Sequence, residues 1–459
     1  MRKVVINGEV FFAENEEILS DILMKNKKII PHQCGGKGFC KKCRVTVNGK
    51  EELSCQYRIT SDVEVFYEEE KEILSEIGLN ETENATQNTC FLLDIGTTTL
   101  ALCLLSLDEK KPVKVITRNN PQRVFGSDVI SRIEYCKNNG VEKPRDILID
   151  AINEMLTLFP SNDAHKLYVA GNTTMLHIFF GINPASMGTA PYTPVFLESR
   201  SEKAENINGI TEIISLPCIS SFIGADITAG LTFAKAPENE KYNLLVDLGT
   251  NAEIVLYSED KIICTSAAAG PCFEGANISC GMSGTEGAIS SYSKGKIHVI
   301  GNTTAKGICG TGLIDIIAEL LYSGEIDKSG FMAEEEIQLT EDVFITQEDV
   351  RQYQLAKSAI FSSIITLLKY EKISFNKIEK MYVSGGFSSE INIENAVTTG
   401  LLPQELKDKF TSVNNSSLQG LIKVVSENKD LTKITENAKY IDLSQDEHFS
   451  QLFIENMMF

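Results

Sequence analysis

The stretch PHQCGGKGFCKKC, 31–43, places three cysteines within ten positions, and GKEELSC adds a fourth, so that Cys34, Cys40, Cys43 and Cys55 follow the spacing C-x5-C-x2-C-x11-C. Four thiolates so spaced can enclose a small metal centre. Zinc accepts four sulfurs, but its sites usually present two short hooks separated by a longer loop, whereas three of these ligands share one glycine-rich loop. Gly35, Gly36 and Gly38 let the loop bend tightly and turn backbone N–H groups toward sulfur, relieving negative charge. Zinc ligands and unligated core cysteines are the competing readings.

A second chemistry begins at FLLDIGTTTLALCLL, 91–105. An apolar strand ends at Asp94, a tight turn follows and a second apolar strand leaves it. Amides and short hydroxyls of Gly96, Thr97 and Thr98 can surround phosphate while Asp94 orients magnesium through water. No Gly-Lys-Thr or Gly-Lys-Ser closes the turn, so it is not a Walker loop. YNLLVDLGTNAEIVL, 242–256, repeats the device with Asp247, Gly249 and Thr250. Two such turns are expected where two related lobes clamp the phosphates of one nucleotide. Plain strand turns without a ligand would also produce the pattern.

The elements that hold these residues are legible in outline. Lys3 to Ile6 and Val10 to Ala13 read as a hairpin around Asn7-Gly8, and Arg44 to Val47 followed by Asn48-Gly49 begins another. Ile18, Leu19, Ile22 and Leu23 form a helical apolar stripe between them. Acidic and polar residues over 68–89 read as a short helix and flexible linker. Leu355, Ile360, Ile364 and Leu368 form a helical stripe suited to the core of a lobe. The expected domains are 1–67 around the cysteines, the linker 68–89, a first lobe 90–238 and a second lobe 239–459.

At 459 residues the chain exceeds one compact core. It has no early apolar run like a signal peptide and no long apolar span, which predicts a cytoplasmic protein without a membrane span. Its 12 cysteines fit a reducing compartment with one dedicated cluster. The net charge of -20 argues against nucleic acid or anionic membrane as partner. Yet from Ile22 to Lys50 there is no acid, while Lys25, Lys27, Lys28, Lys37, Lys41, Lys42, Arg44 and Lys50 flank the cysteine loop. They read as a collar for an acidic redox partner, or as ordinary surface charge.

The cysteine set resembles that of single 2Fe-2S ferredoxin domains, which implies a β-grasp fold. Its first gap is similar to adrenodoxin-type ferredoxins and its last to the iron-sulfur subunits of molybdenum hydroxylases. The Asp-Gly-Thr turns resemble the phosphate loops of the acetate kinase, sugar kinase, heat-shock ATPase and actin superfamily. MYVSGGFSS, 381–389, is similar to the adenosine loop of that superfamily, with Gly385 and Gly386 admitting purine and ribose. With NNPQRVFGSDVISRI, VAGNTTMLHIF, SFIGADITAG, SAAAGPCFEGANISCGMSG and GICGTGLIDIIAELL, the succession resembles the reductive activators of corrinoid enzymes, over nearly the whole chain.

That resemblance implies an α/β and α+β multidomain protein: an N-terminal β-grasp 2Fe-2S domain followed by a two-lobed actin-like ATPase. It implies ATP and Mg2+ as cofactors beside the 2Fe-2S cluster. The implied activity is ATP-dependent reduction of inactive Co(II) to Co(I) on a corrinoid protein of a methyltransferase system, in anaerobic metabolism. A low-potential electron donor is required, and a homodimer is compatible with the sequence. A nucleotide-gated redox regulator or activator of a different metalloenzyme is the alternative, and a small-molecule kinase fused to a ferredoxin a lesser one. Asp226 becomes a candidate for orienting the attacking water, and Asn172 and Thr173 for phosphate-side contacts. Asp128 and Glu274 are weighed against capping or structural roles, and His177 against a core role. Cys264, Cys272, Cys280 and Cys309 read as buried small side chains. The stretch between the cysteine domain and the first phosphate loop is short, leaving little room for the additional middle domain of larger relatives. The C-terminal tail lacks the cysteine-rich motif of relatives with 4Fe-4S clusters.

Overall fold

The computed structural model describes residues 1–28, 30, 32, 34–38, 40–67, 75–78, 87–233, 236–237, 240–386 and 388–459. The chain falls into two compact units: Met1–Val169 with Thr174–Phe196 and Ser201–Ile214, and Ala170–Thr173 with Leu197–Arg200 and Ser215–Phe459. The cysteine domain and most of the expected first lobe therefore share a unit, while 215–233 packs with the second.

In the first unit β1 (Arg2–Ile6) and β2 (Glu9–Ala13) form the expected hairpin, with Val5 opposite Val10. Asn7 and Gly8 both take positive φ, 47° and 89°, as a two-residue turn matched to strand twist requires. Asn48 and Gly49 do the same between β3 (Arg44–Val47) and β4 (Lys50–Leu53). With β5 (Val63–Phe66) the sheet runs β2-β1-β5-β3-β4, β1 and β5 being parallel. Helix α1 (Leu19–Lys25) buries Leu19, Ile22 and Leu23 against Val4, Ile6, Val45 and Val65, which completes a β-grasp.

A seven-stranded sheet follows, in the order β11-β12-β10-β7-β8-β9-β6. Its strands are β6 (Ser75–Gly78), β7 (Thr89–Ile95), β8 (Thr99–Ser106), β9 (Lys111–Asn119), β10 (Lys166–Gly171), β11 (Ser201–Lys203) and β12 (Glu212–Ser215). Every residue of β7 is buried, which accounts for its unbroken apolar run. Ser75–Gly78 departs from the expected linker: it pairs antiparallel with β9, occupying an edge that would otherwise be open. The rest of the expected helix and linker, 68–74 and 79–86, lies outside the described residues. After a 3-10 turn at Pro121–Phe125 come α2 (Val129–Asn139) and α3 (Glu142–Leu156), and α4 (Thr173–Phe179) follows β10.

The second unit opens with α5 (Ala225–Phe233) and repeats the meander as β13 (Tyr242–Leu248), β14 (Ala252–Tyr257) and β15 (Ile262–Ala267). Ile378–Ser384 pairs parallel with β13. Asp94 and Asp247 each stand next to last in the first strand of their meander. Ile360, Ile364 and Leu368 of the helix Gln347–Tyr370 join the core, but Leu355 is 40 % exposed, because its position turns to the solvent side of that helix. Among the described residues no helix is long and apolar enough to cross a membrane.

Helix α5 is held close to the helix Ser416–Glu427, where a Cβ on Gly420 would lie 1.9 Å from the carbonyl oxygen of Ala229. Gly420→Ala is expected to lower unfolding stability by about 3 kcal/mol through overpacking against backbone. Gly386→Ala, whose Cβ meets nothing within 4 Å among the described residues, should change it by less than about 0.5 kcal/mol. Urea unfolding of both variants checks the contrast; equal stabilities would refute the close helix contact.

Candidate functional site

The cysteine loop is built on glycines in left-handed geometry: φ is 62° at Gly35 and 82° at Gly36 and Gly38. Cys34, Cys43 and Cys55 are buried and Cys40 is half-buried, all as free thiols. Cys43 Sγ lies 3.3 Å from Cys55 Sγ. Burial, and then contact with Cys34, pushes the Cys40 thiol up. Cys34 acts on Cys55 as well as on Cys40, so the four thiols lie in one neighbourhood. Among the described residues no three of His, Cys, Asp or Glu converge on one point suited to a metal ion. Three thiols on one glycine-rich loop and a fourth beside the Gln56 amide fit the ligand set of a 2Fe-2S cluster.

Two residues not singled out in the sequence clasp this loop. Gln56 Nε2 donates to the Gly36 carbonyl at 2.6 Å and approaches Cys55 Sγ at 3.6 Å. The imidazole of His32 contacts the Val124 carbonyl through Nδ1 at 3.1 Å and Ser54 Oγ through Nε2 at 3.5 Å, and burial lowers its pKa. Their partners lie 20 and 92 positions away, so no local pattern marks them. The basic collar is largely tied down. Lys27 pairs with Glu154 at 2.8 Å, Lys28 with Glu9 at 3.3 Å, Lys37 with Glu134 at 2.6 Å, Arg44 with Glu51 at 2.5 Å, and Lys25 with Glu17. Lys41, Lys42 and Lys50 are exposed and belong to no such pair among the described residues.

In the same unit the turn after Asp94 is closed by the Gly96 N–H donating to the Thr99 carbonyl at 3.0 Å. A Cβ at Gly96 would lie 2.6 Å from that oxygen, so the turn demands glycine. Asn120 Nδ2 donates to the Gly96 carbonyl at 2.8 Å, Arg132 Nη2 to Thr97 at 2.6 Å, and the Asn120 N–H to Thr98 at 2.7 Å. Asp94 is buried at the end of β7. Asp128 accepts from the N–H and hydroxyl of Ser131 and caps α2. His177 is fully buried, accepts from the Val195 N–H at 3.0 Å and stacks on Phe196.

The second unit gathers the other candidates. Asp247 accepts from Ser384 Oγ at 2.7 Å and Ser416 Oγ at 3.4 Å, which tether its carboxylate. A Cβ on Gly385 would come 2.1 Å from the Leu248 carbonyl, so this glycine lets the Ser-Gly-Gly turn pass against β13, while Gly386 is exposed. The Gly249 N–H donates to Asn251, and Thr250 Oγ1 donates to Glu274 at 2.5 Å. A Cβ on Gly224 would lie 2.4 Å from Asn172 Cα, which packs the Gly-Asn-Thr-Thr turn against the start of α5 and half-buried Asp226. The Thr173 hydroxyl is buried and donates to the Ser220 carbonyl at 2.6 Å.

Glu253 is the acid the motif reading passed over. It sits directly opposite Asp247 in the pairing of β13 with β14. Burial, then Asp226, Asp247 and Glu274, hold its carboxyl well above the usual range. Only the strand register, absent from any local pattern, reveals this grouping. Cys264, Cys272 and Cys309 are buried as expected, whereas Cys280 is half-buried.

Family models match the chain in three consecutive pieces. The 2Fe-2S iron-sulfur cluster binding domain covers residues 4–65, the RACo middle region 90–238, and the C-terminal domain of RACo, the ASKHA domain, 241–459. The middle region therefore falls on the stretch expected as the first lobe and needs no room in the short linker. The chain is 28% identical to the corrinoid activation enzyme RamQ of Eubacterium limosum, over 97% of each chain. It is 29% identical to a [Co(II) methylated amine-specific corrinoid protein] reductase of Methanosarcina barkeri, over 76% of this chain and 72% of that one. Among solved structures it matches a reductive activator for corrinoid,iron-sulfur protein at TM-score 0.73 and 26% identity, over 100% of this chain and 98% of that one. With its grouped thiols and duplicated Asp-Gly-Thr meanders, family models that follow one another over 4–65, 90–238 and 241–459, and these end-to-end matches, the chain belongs to the reductive activators of corrinoid enzymes.

Proposed function

We propose that the protein reactivates a corrinoid protein of a methyltransferase system, passing electrons singly to inactive Co(II) to give Co(I), with ATP hydrolysis making the transfer effective. The observation that carries this reading is the union, in one chain, of four neighbouring thiols on a glycine-rich loop with a duplicated Asp-Gly-Thr device. The matched relatives named for corrinoid activation and reduction point to the acceptor.

When bound, a 2Fe-2S cluster supplies a one-electron carrier, at about -400 mV for plant-type centres. Cys34, Cys40, Cys43 and Cys55 would hold it. Gln56 and the backbone N–H groups of Lys42 and Cys34 would offset the charge on sulfur. Each ~59 mV of unfavourable potential costs about 1.4 kcal/mol for one electron, so a harder acceptor requires coupling. On the nucleotide side, Gly96, Thr97, Thr98, Gly249 and Thr250 would line phosphates and Gly385 and Gly386 the adenosine. Asn172 would reach the phosphate side by its side chain and Thr173 by its backbone, its hydroxyl being engaged within the fold. Asp94 and Asp247 would orient waters of Mg2+, and Asp226 the attacking water. A Mg2+ held chiefly by water and phosphate oxygens suits carboxylates that do not themselves form a cage. A low-potential donor refills the cluster, and the cytoplasm is the proposed compartment.

Anaerobically purified protein is expected to hold about two iron and two acid-labile sulfides per chain. Cys40→Ser should lose most of both while binding nucleotide normally; stoichiometric zinc without sulfide would reject the cluster. Reduced protein mixed with an oxidised cognate corrinoid protein should convert Co(II) to Co(I), followed by cobalt absorption, only when Mg-ATP is present. Asp94→Ala should slow both this conversion and phosphate release at least ~10-fold. Equal conversion without nucleotide refutes the coupling, and activation of another redox protein in its place favours a nucleotide-gated regulator. Charge reversal at Lys41 and Lys42 should weaken association with the corrinoid protein at low salt and leave ATPase unchanged. Unchanged association measured by light scattering would return the collar to ordinary surface charge.

A further inference from the structure

The first unit contains both the cysteine loop and the first phosphate turn, and one buried segment touches both. Asn120, Gln122 and Arg132 are each fully buried. On the phosphate side, this segment holds the carbonyls of Gly96, Thr97 and Thr98 through the three hydrogen bonds given above. On the cluster side, three and four residues beyond Asn120, the Arg123 carbonyl accepts from the His32 N–H at 3.2 Å and the Val124 carbonyl meets His32 Nδ1 at 3.1 Å. Gly35 packs beside them, its Cβ position 3.3 Å from the Phe125 carbonyl.

The segment is stiff. Asn120 Oδ1 accepts from the Gln122 N–H at 3.0 Å, Gln122 Nε2 donates to the Pro144 carbonyl at 2.9 Å, and Arg132 Nε donates to Gly126 at 3.0 Å. Pro121 fixes φ at the first position of its turn. Asn120, Gln122 and Arg132, each held by two or more such bonds, move as a body, since losing one bond leaves an uncompensated polar group. Beside the His32 contact a cavity of ≈ 290 Å³, bounded in part by His32, Gly35, Cys55, Val124 and Phe125, gives the loop room to shift without compressing the core.

We propose that Asn120–Arg132 couples nucleotide occupancy of the first phosphate turn to the cluster loop, with Asn120, Arg132 and His32 as positioning residues. Oxidised and reduced protein then bind nucleotide with unequal affinity. The inference rests on the function given above, in which the turn takes nucleotide and the loop takes the cluster. An added electron draws the loop's donors toward sulfur and bound phosphate draws the turn's donors toward itself, so the two pull on opposite ends of one segment; reduction then weakens nucleotide binding, and by reciprocity nucleotide lowers the cluster potential.

The test titrates a non-hydrolysable ATP analogue with Mg2+ into cluster-loaded protein, anaerobically, in the oxidised and the dithionite-reduced state. The reduced form is expected to bind about fivefold more weakly, equivalent to a potential lowered by about 41 mV at ~59 mV per tenfold. In His32→Leu the ratio should fall to about 1.5-fold or less, whereas His32→Asn, whose Nδ2 can donate to the Val124 carbonyl, should restore more than about threefold. Should His32→Leu fail to take up iron, Asn120→Ser, on the far side of the segment, carries the same comparison. A direct field between phosphate and cluster would survive these substitutions. An undiminished ratio in the cluster-loaded variants therefore overturns the proposal, as does a ratio of one in the unaltered protein. Absence of sulfide or of nucleotide binding in the oxidised protein sinks the functional reading and this inference together. A ratio of one with both sites filled sinks the inference alone.

Discussion

Negative charge held out of water is the constraint around which both centres are organised. Burial and the neighbouring Cys43 thiol push Cys55 up to about 11, so its thiolate needs local compensation. The loop answers with the Gln56 amide at Cys55 and with the backbone N–H groups of Lys42 and Cys34 at Cys40, while the Gly35 N–H goes to the His32 carbonyl rather than to sulfur. The second unit meets the same difficulty with carboxylates, setting Glu253 directly opposite Asp247 across two strands, an arrangement that costs stability without a cation. Here the answer is hydroxyls, with Ser384 and Ser416 donating to Asp247 and Thr250 to Glu274.

The two meanders share a sequence device but anchor it differently. After Asp94, the protein grips the backbone of the turn, since Asn120 and Arg132 take three successive carbonyls. After Asp247, it grips the carboxylate, and the adjoining Ser-Gly-Gly turn supplies the Ser384 hydroxyl. A turn fixed by its backbone presents a set surface for phosphate, whereas a carboxylate fixed by hydroxyls presents a set direction for a hydrated cation. The same device is thus anchored in two different ways at equivalent positions.

What could be read from the sequence was what local chemistry decides. Asn7-Gly8 and Asn48-Gly49 specify their hairpins because few residues tolerate two successive positive φ angles. The cysteine spacing and the Asp-Gly-Thr turns are likewise contiguous. Gln56, His32 and Glu253 escaped because their significance comes from partners brought near by register or by domain packing. Leu355 shows the opposite error, an apolar residue on a helix whose wetted side a single chain of letters does not mark. Ser75–Gly78 joined a sheet against its polar composition because an open edge of backbone outweighs side-chain preference over four residues.

The distribution of sulfur bears on how the protein acquires its cluster. Of the eight cysteines outside the loop, seven are buried and Cys280 is half-buried. Burial pushes Cys90, Cys136, Cys218, Cys264 and Cys272 up to about 12, leaving them protonated and poor ligands. The loop cysteines differ by lying in contact with one another, Cys43 with Cys55 and Cys40 with Cys34. A cluster assembled on the folded chain therefore meets grouped thiols in the loop and scattered, buried ones elsewhere.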